Sequence, residues 1–208
     1  MQGPQDFEDF IGEQKARLTE NPGCASAQYN LGVSYMEQGR YSEAIAAFEE
    51  AIANSGRMFE AYVNLGYIYF QLGELAKVVE ANQQAIAIEP RYARGYANLG
   101  FAYAQMGKTD AAIAALEKAL ALNPRVVQAW NNLVNAYLQK GELEKAIANG
   151  RKLLEIAPDF ALGHNNLAYA YYLNGDYDRA IQHVDRAQEL GFKVHPEFLR
   201  QLQLYRQN

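Results

Sequence analysis

The chain has 208 residues, half of them apolar, and a net charge of −5 at pH 7. So small a charge, with no basic stripe, excludes nucleic acid as the main partner, because phosphate binding needs cations that displace counterions. No stretch reaches the ~18 consecutive apolar residues of a membrane span, and a single cysteine, Cys24, excludes an internal disulfide and fits a reducing compartment.

Residues 1–24 lack the charged start and apolar core of a signal peptide, so the expected location is cytoplasmic. Phe7, Phe10, Ile11 and Leu18 give residues 5–20 a partial apolar stripe, and Asn21-Pro22 falls 34 residues before Gly56. This segment therefore reads as the second helix of a half repeat. From Ala25 a strict period of 34 begins, with copies at 25–58, 59–92, 93–126, 127–160 and 161–194. Position 6 of every copy is asparagine (Asn30, Asn64, Asn98, Asn132, Asn166), followed by leucine and, four residues after that, by tyrosine. Position 8 is Gly32, Gly66, Gly100, Val134 and Ala168, and position 15 is always glycine. A period kept over five copies means one supersecondary unit stacked on itself, since one unit alone cannot bury its apolar face.

Within the third copy, Tyr96, Leu99, Gly100 and Tyr103 share one helical face. Gly107 can take up left-handed backbone and end that helix. A second stripe, Ala112, Ile113, Leu116, Ala119 and Leu120, stops before Pro124, which cannot continue a helix. Residues 195–208 form a last segment, in which Pro196 opens a capping helix with Phe198, Leu199, Leu202 and Tyr205 on its face. The expected fold is all-α, a stack of antiparallel helix hairpins.

The pattern resembles the tetratricopeptide repeat over residues 25–194: an aromatic at position 4, Leu-Gly, Tyr, a small residue at position 20, and Pro90, Pro124 and Pro158 at position 32. That resemblance implies a right-handed superhelical solenoid whose first helices line a concave groove. Two departures stand out at position 24, where a large apolar side chain belongs: Asn82 and Gly150. Asn82 reads as tolerated drift in one repeat or as a buried polar group with a partner in the neighbouring helix. Gly150 in a helix should cost about 1 kcal/mol, so replacing it with alanine should stabilise.

No catalytic arrangement emerges, and neither an enzyme nor a cofactor or metal is expected. His164 stands in for the position-4 aromatic and reads as a core residue. His183 and Asp185 are two apart on a helix and face different ways, so they cannot share a metal. The glycines punctuate hairpins and form no phosphate loop.

What remains is recognition. Positions 2, 6, 9 and 13 of each first helix share a face, flanked by 5 and 12, and the resemblance makes that face ligand-facing. The candidate partner-binding residues are the five position-6 asparagines with Tyr67, Phe70, Arg94, Phe101, Asn135, Tyr169 and Tyr172. A carboxamide donates and accepts at once, so an asparagine ladder could hold a peptide backbone whatever its side chains, or could simply tie the hairpins together. Aromatic side chains supply the anchors that dominate interface energies. Only Glu37, Glu60, Arg94 and Lys140 are charged in the 70 residues of the five first helices, so the face is nearly neutral. Chaperone-binding members of the family grip a carboxylate with lysine at position 5 and arginine at position 6; neither occurs here. The expected function is a non-catalytic scaffold or adaptor that binds a peptide or helix of another protein. The alternative is a structural protein that forms homo-oligomers through its terminal repeats.

Overall fold

The computed structural model describes residues 4–206, with side chains from Phe7 onward. Positions 1–3 of the N-terminal segment and 207–208 of the capping segment lie outside the described residues. Twelve helices and no strands are found among the described residues: α1 (Pro4–Glu20), α2 (Ala25–Glu37), α3 (Tyr41–Ser55), α4 (Phe59–Gln71), α5 (Leu75–Ile88), α6 (Ala93–Gln105), α7 (Thr109–Leu122), α8 (Val127–Lys140), α9 (Leu143–Ile156), α10 (Ala161–Leu173), α11 (Tyr177–Glu189) and α12 (Pro196–Gln203). The first helix of each copy starts at Ala25, Phe59, Ala93, Val127 and Ala161, the residues at position 1 of the sequence period. The fold is an all-α solenoid of helix hairpins.

The helices gather into two compact units, Met1–Gly95 and Tyr96–Asn208. In the first, α1 packs on α2, and α2–α3 and α4–α5 form hairpins joined through α3 and α4. In the second, α8–α9 and α10–α11 form hairpins, α7 packs on α8, and α12 closes against α11. Hairpin turns rest on the position-15 glycines, whose φ values run from 72° at Gly39 to 81° at Gly175. There an L side chain would be strained, which is why no other residue occurs.

The two helices of a hairpin approach at positions 8 and 24. A Cβ on Gly32 would sit 2.7 Å from the Phe48 ring, one on Gly66 2.9 Å from the Asn82 amide, and one on Gly100 2.4 Å from Leu116 Cγ. A hydrogen at position 8 thus makes room for a large side chain at position 24, and Phe48 and Leu116 are fully buried as a result. The fourth copy reverses the sizes, with Val134 at position 8 and Gly150 at position 24. Leu167 of α10 fills the space beside Gly150; an added Cβ would lie 3.0 Å from its Cδ1. The expectation that Gly150 merely weakens a helix is therefore revised: its missing side chain seats Leu167. Asn82 is 1% exposed, and its amide donates to the Val78 carbonyl one turn earlier at 2.8 Å.

Successive repeats are tied by a second device. The position-4 side chain donates to the carbonyl of the proline six residues before it: Gln28 to Pro22 at 3.3 Å, Trp130 to Pro124 at 2.7 Å and His164 to Pro158 at 2.8 Å. A carbonyl only accepts, so His164 Nε2 carries a proton, and in the neutral ring Nδ1 accepts. His183 Nδ1 lies 2.9 Å from that nitrogen and must donate to it. His164 is a core residue, as its position indicated, but its tie to His183 across the α10–α11 hairpin was not foreseen.

Two predictions follow from this packing. Gly100→Ala should destabilise by about 1–3 kcal/mol through overpacking, and Gly150→Ala should leave the melting temperature unchanged or lower, because the helix gain is cancelled at Leu167; thermal denaturation reads both. Burial, and secondarily His164, lower the pKa of His183 from 6.5 to about 4. The unfolded chain then binds a proton that the folded one refuses, so stability is complete above about pH 6.5 and falls as pH drops toward 4. Urea midpoints should decline across that window, and less steeply in His183→Gln.

Candidate functional site

In the second unit, the exposed faces of α6, α8 and α10 form an open cavity of about 670 Å³, closed at one end by α12 and the segment before it. Of the residues singled out from sequence, Phe101, Asn132, Asn135, Asn166 and Tyr169 line it together. Four further carboxamides join them: Asn165 at position 5, Gln105 and Gln139 at position 13, and Gln201 of α12. The first three lie on the face that helical periodicity had marked. Gln201 carries no such signal, because residues 195–208 lie outside the 34-residue period.

The capping segment does two things at once. Phe198 and Leu202 are buried beneath it, packed on the α10–α11 core. Its other side turns Glu197 and Gln201 into the cavity, and Lys193 just before it joins them. The near-neutral face read from the first helices therefore gains one cation and one anion at this end. Pro196 starts α12 without wasting an N–H, and His195 Nδ1 accepts from the Glu197 amide at 3.3 Å to cap it.

Phe198 also settles two of the three tyrosines of α10, Tyr169 and Tyr172. Its ring meets Tyr169 and Tyr172 edge-on, each at 5.5 Å. Tyr172 is enclosed further by Tyr177 at 5.7 Å and Tyr205 at 6.4 Å, so it supports the wall from behind. Tyr169 stays 43% exposed on the cavity side.

The asparagines divide. Asn64 Nδ2 donates to the Tyr29 hydroxyl at 3.3 Å, and Asn166 Nδ2 to Asn131 Oδ1 at 2.9 Å, in both cases reaching position 5 of the preceding copy. Asn30 donates to Gln14 of α1 at 3.4 Å, which places Gln14 inside the packing at 1% exposure. These bonds tie neighbouring helices together, so the ladder is partly structural. For Asn132, the position-5 residue before it is Ala97, which has no side-chain acceptor, and its carboxamide turns to the cavity. Asn98 is exposed on α6.

The remaining candidates belong to the first unit. Tyr67 and Phe70 project from α4, 50% and 46% exposed, and Arg94 is exposed at the start of α6. Among the described residues no three His, Cys, Asp or Glu side chains gather to hold a metal. No helix there is long and apolar enough to cross a membrane.

Sequence models of the family described as tetratricopeptide repeat match residues 14–57, 29–93 and 98–159, and a second set matches 81–114 and 150–182. The chain belongs to the tetratricopeptide repeat family. Among solved structures it is similar to a crystal structure of MamA protein, with 25% identity, 83% of this chain and 98% of that one covered, and a TM-score of 0.75. A second MamA crystal structure is 28% identical over 77% of this chain and 94% of that one, with a TM-score of 0.73. YrrB, described as a TPR protein with an unusual peptide-binding site, shares the fold at 17% identity, with 86% of this chain and 92% of that one covered and a TM-score of 0.74. No curated protein matches the sequence.

The division among the asparagines is testable by paired substitution. Asn166→Ala removes a tie between helices and should cost about 0.5–1.5 kcal/mol of stability. Asn132→Ala should leave the melting temperature within experimental error.

Proposed function

We propose that this tetratricopeptide repeat protein is a non-catalytic adaptor that holds an extended segment of a partner protein in the cavity of its second unit. The reading is carried by one observation: carboxamides from α6, α8, α10 and α12 converge on a single cavity with Phe101 and Tyr169 in its wall. An extended peptide presents alternating N–H and C=O groups along its length, and each carboxamide can answer both. The aromatic rings then supply the apolar contact that backbone bonds lack. Such a site reads backbone shape and tolerates varied side chains, with preference for uncharged ones along the middle of the cavity. Lys193 and Glu197 place opposite charges at the α12 end, where a polar terminus of the segment would fit.

Partner capture followed by binding measurements tests this. Phe101→Ala or Tyr169→Ala should weaken binding by about 1–3 kcal/mol with the fold intact, and Asn132→Ala combined with Asn135→Ala should weaken it further. Affinity should change little between low and moderate salt, because exposed charges contribute little to the contact. A chain that binds no partner and instead grows in mass with concentration would establish the rival reading, self-assembly through the terminal repeats. Loss of binding on charge reversal at Glu80 or Lys118, both on second helices, would move the site away from this cavity.

A further inference from the structure

A second cleft of the same unit, on the opposite kind of surface, carries chemistry that peptide binding does not use. It lies between the second helices α9 and α11 and encloses about 440 Å³. Arg151 comes from α9, Arg179, Gln182 and His183 from α11, and Tyr171 from α10 forms its floor. Arg179 is held at the rim, with its guanidinium 5.6 Å above the Tyr171 ring and 3.1 Å from Asp176. His183 is stacked on the same ring at 5.6 Å, nearly parallel. Its Nδ1 is committed to His164, so Nε2 is the nitrogen it has left for the cleft.

The same repeat positions make a cleft of about 500 Å³ in the first unit, where Glu49 replaces Arg151, Lys77 replaces Arg179, Glu80 replaces Gln182 and Ala81 replaces His183. The architecture is therefore generic to the repeat, while the side chains are not. Of two clefts built alike, one bears two carboxylates and one cation, and the other two guanidiniums, a histidine and one carboxylate, Glu155.

We propose that the cleft between α9 and α11 is a binding site for an oxyanion, a carboxylate or a phosphoryl group, held by Arg151, Arg179 and His183. Guanidiniums match such groups in geometry as well as charge. In the neutral pair His183 gives its proton to the hydrogen bond with His164, so its Nε2 is a bare lone pair that repels an anion. Protonation at Nε2 turns it into a third donor without breaking the His164 bond. Binding is thus accompanied by proton uptake at this nitrogen. The groups that face His183 are His164 and Tyr171 from α10, Arg151 and Glu155 from α9, and Arg179 from its own helix. Burial, and secondarily His164, oppose the proton, and a bound anion would favour it.

Side-chain ¹H–¹⁵N spectra of the full chain, titrated from about pH 7.5 to about 4, read the site directly. In inorganic phosphate the His183 midpoint should rise by half a unit or more relative to chloride at equal ionic strength. N-acetylglutamate amide in place of phosphate separates the two sources: a rise with both assigns carboxylates as ligands, and a rise with phosphate alone assigns phosphoryl groups. Arg151→Gln should reduce the rise and Arg151→Gln with Arg179→Gln should abolish it, whereas Lys77→Gln in the first unit should leave it unchanged. Should neither anion move His183, or should the rise survive in Arg151→Gln and in the double variant alike, the cleft is no oxyanion site.

Discussion

Everything in this protein depends on how closely two helices can lie within one hairpin. Position 8 must be small wherever position 24 is large, because a single added carbon at Gly100 would fall 2.4 Å from Leu116. The constraint concerns the sum of two volumes and not either residue alone. The fourth copy obeys it with the sizes exchanged, as Val134 and Gly150, and passes the remaining space to Leu167 of the next hairpin. Interiors packed this tightly fix the roll of each helix. The roll in turn decides which side chains face the cavity and which face a neighbour.

Polar side chains carry the order from one repeat to the next. Position-4 donors close the turn onto a proline carbonyl, and position-6 asparagines reach back to position 5 of the preceding copy. Both use groups that would otherwise need water, so the bonds add direction to contacts that apolar packing leaves free to slide. Before Asn132, position 5 is Ala97, which offers no side-chain acceptor, and the Asn132 side chain lines the cavity.

The two surfaces of the second unit differ in chemistry for the same reason. First helices expose amides and rings, since their buried face is already committed to the hairpin. Second helices alternate charges with alanine, and the clefts between them take whatever charge the repeat supplies. Tyr171 belongs to both systems: it is buried at position 11, and on its ring rest Arg179 and His183. A cation over a tyrosine recurs at Tyr69 with Lys77 and at Tyr137 with Lys145, which makes the arrangement a feature of the repeat. Only the last copy adds a histidine beside it.

Much of this was legible in the amino-acid order. The 34-residue period determined the helix starts, the glycine turns and the all-α class, because each is dictated by neighbours within a few residues. The nearly uncharged face of the first helices was legible too, as was the core place of His164. Tertiary structure alone decided how those residues are used. Tyr172 is enclosed by Phe198 and Tyr205, Asn166 is tied to Asn131, and α12 with the residues just before it turns Glu197 and Lys193 into the cavity. The pairing of His164 with His183, 19 residues away, belongs with these. Each of these outcomes depends on the roll of one helix against another. That roll is set by side-chain volumes summed across the interface, which no local pattern in the chain encodes.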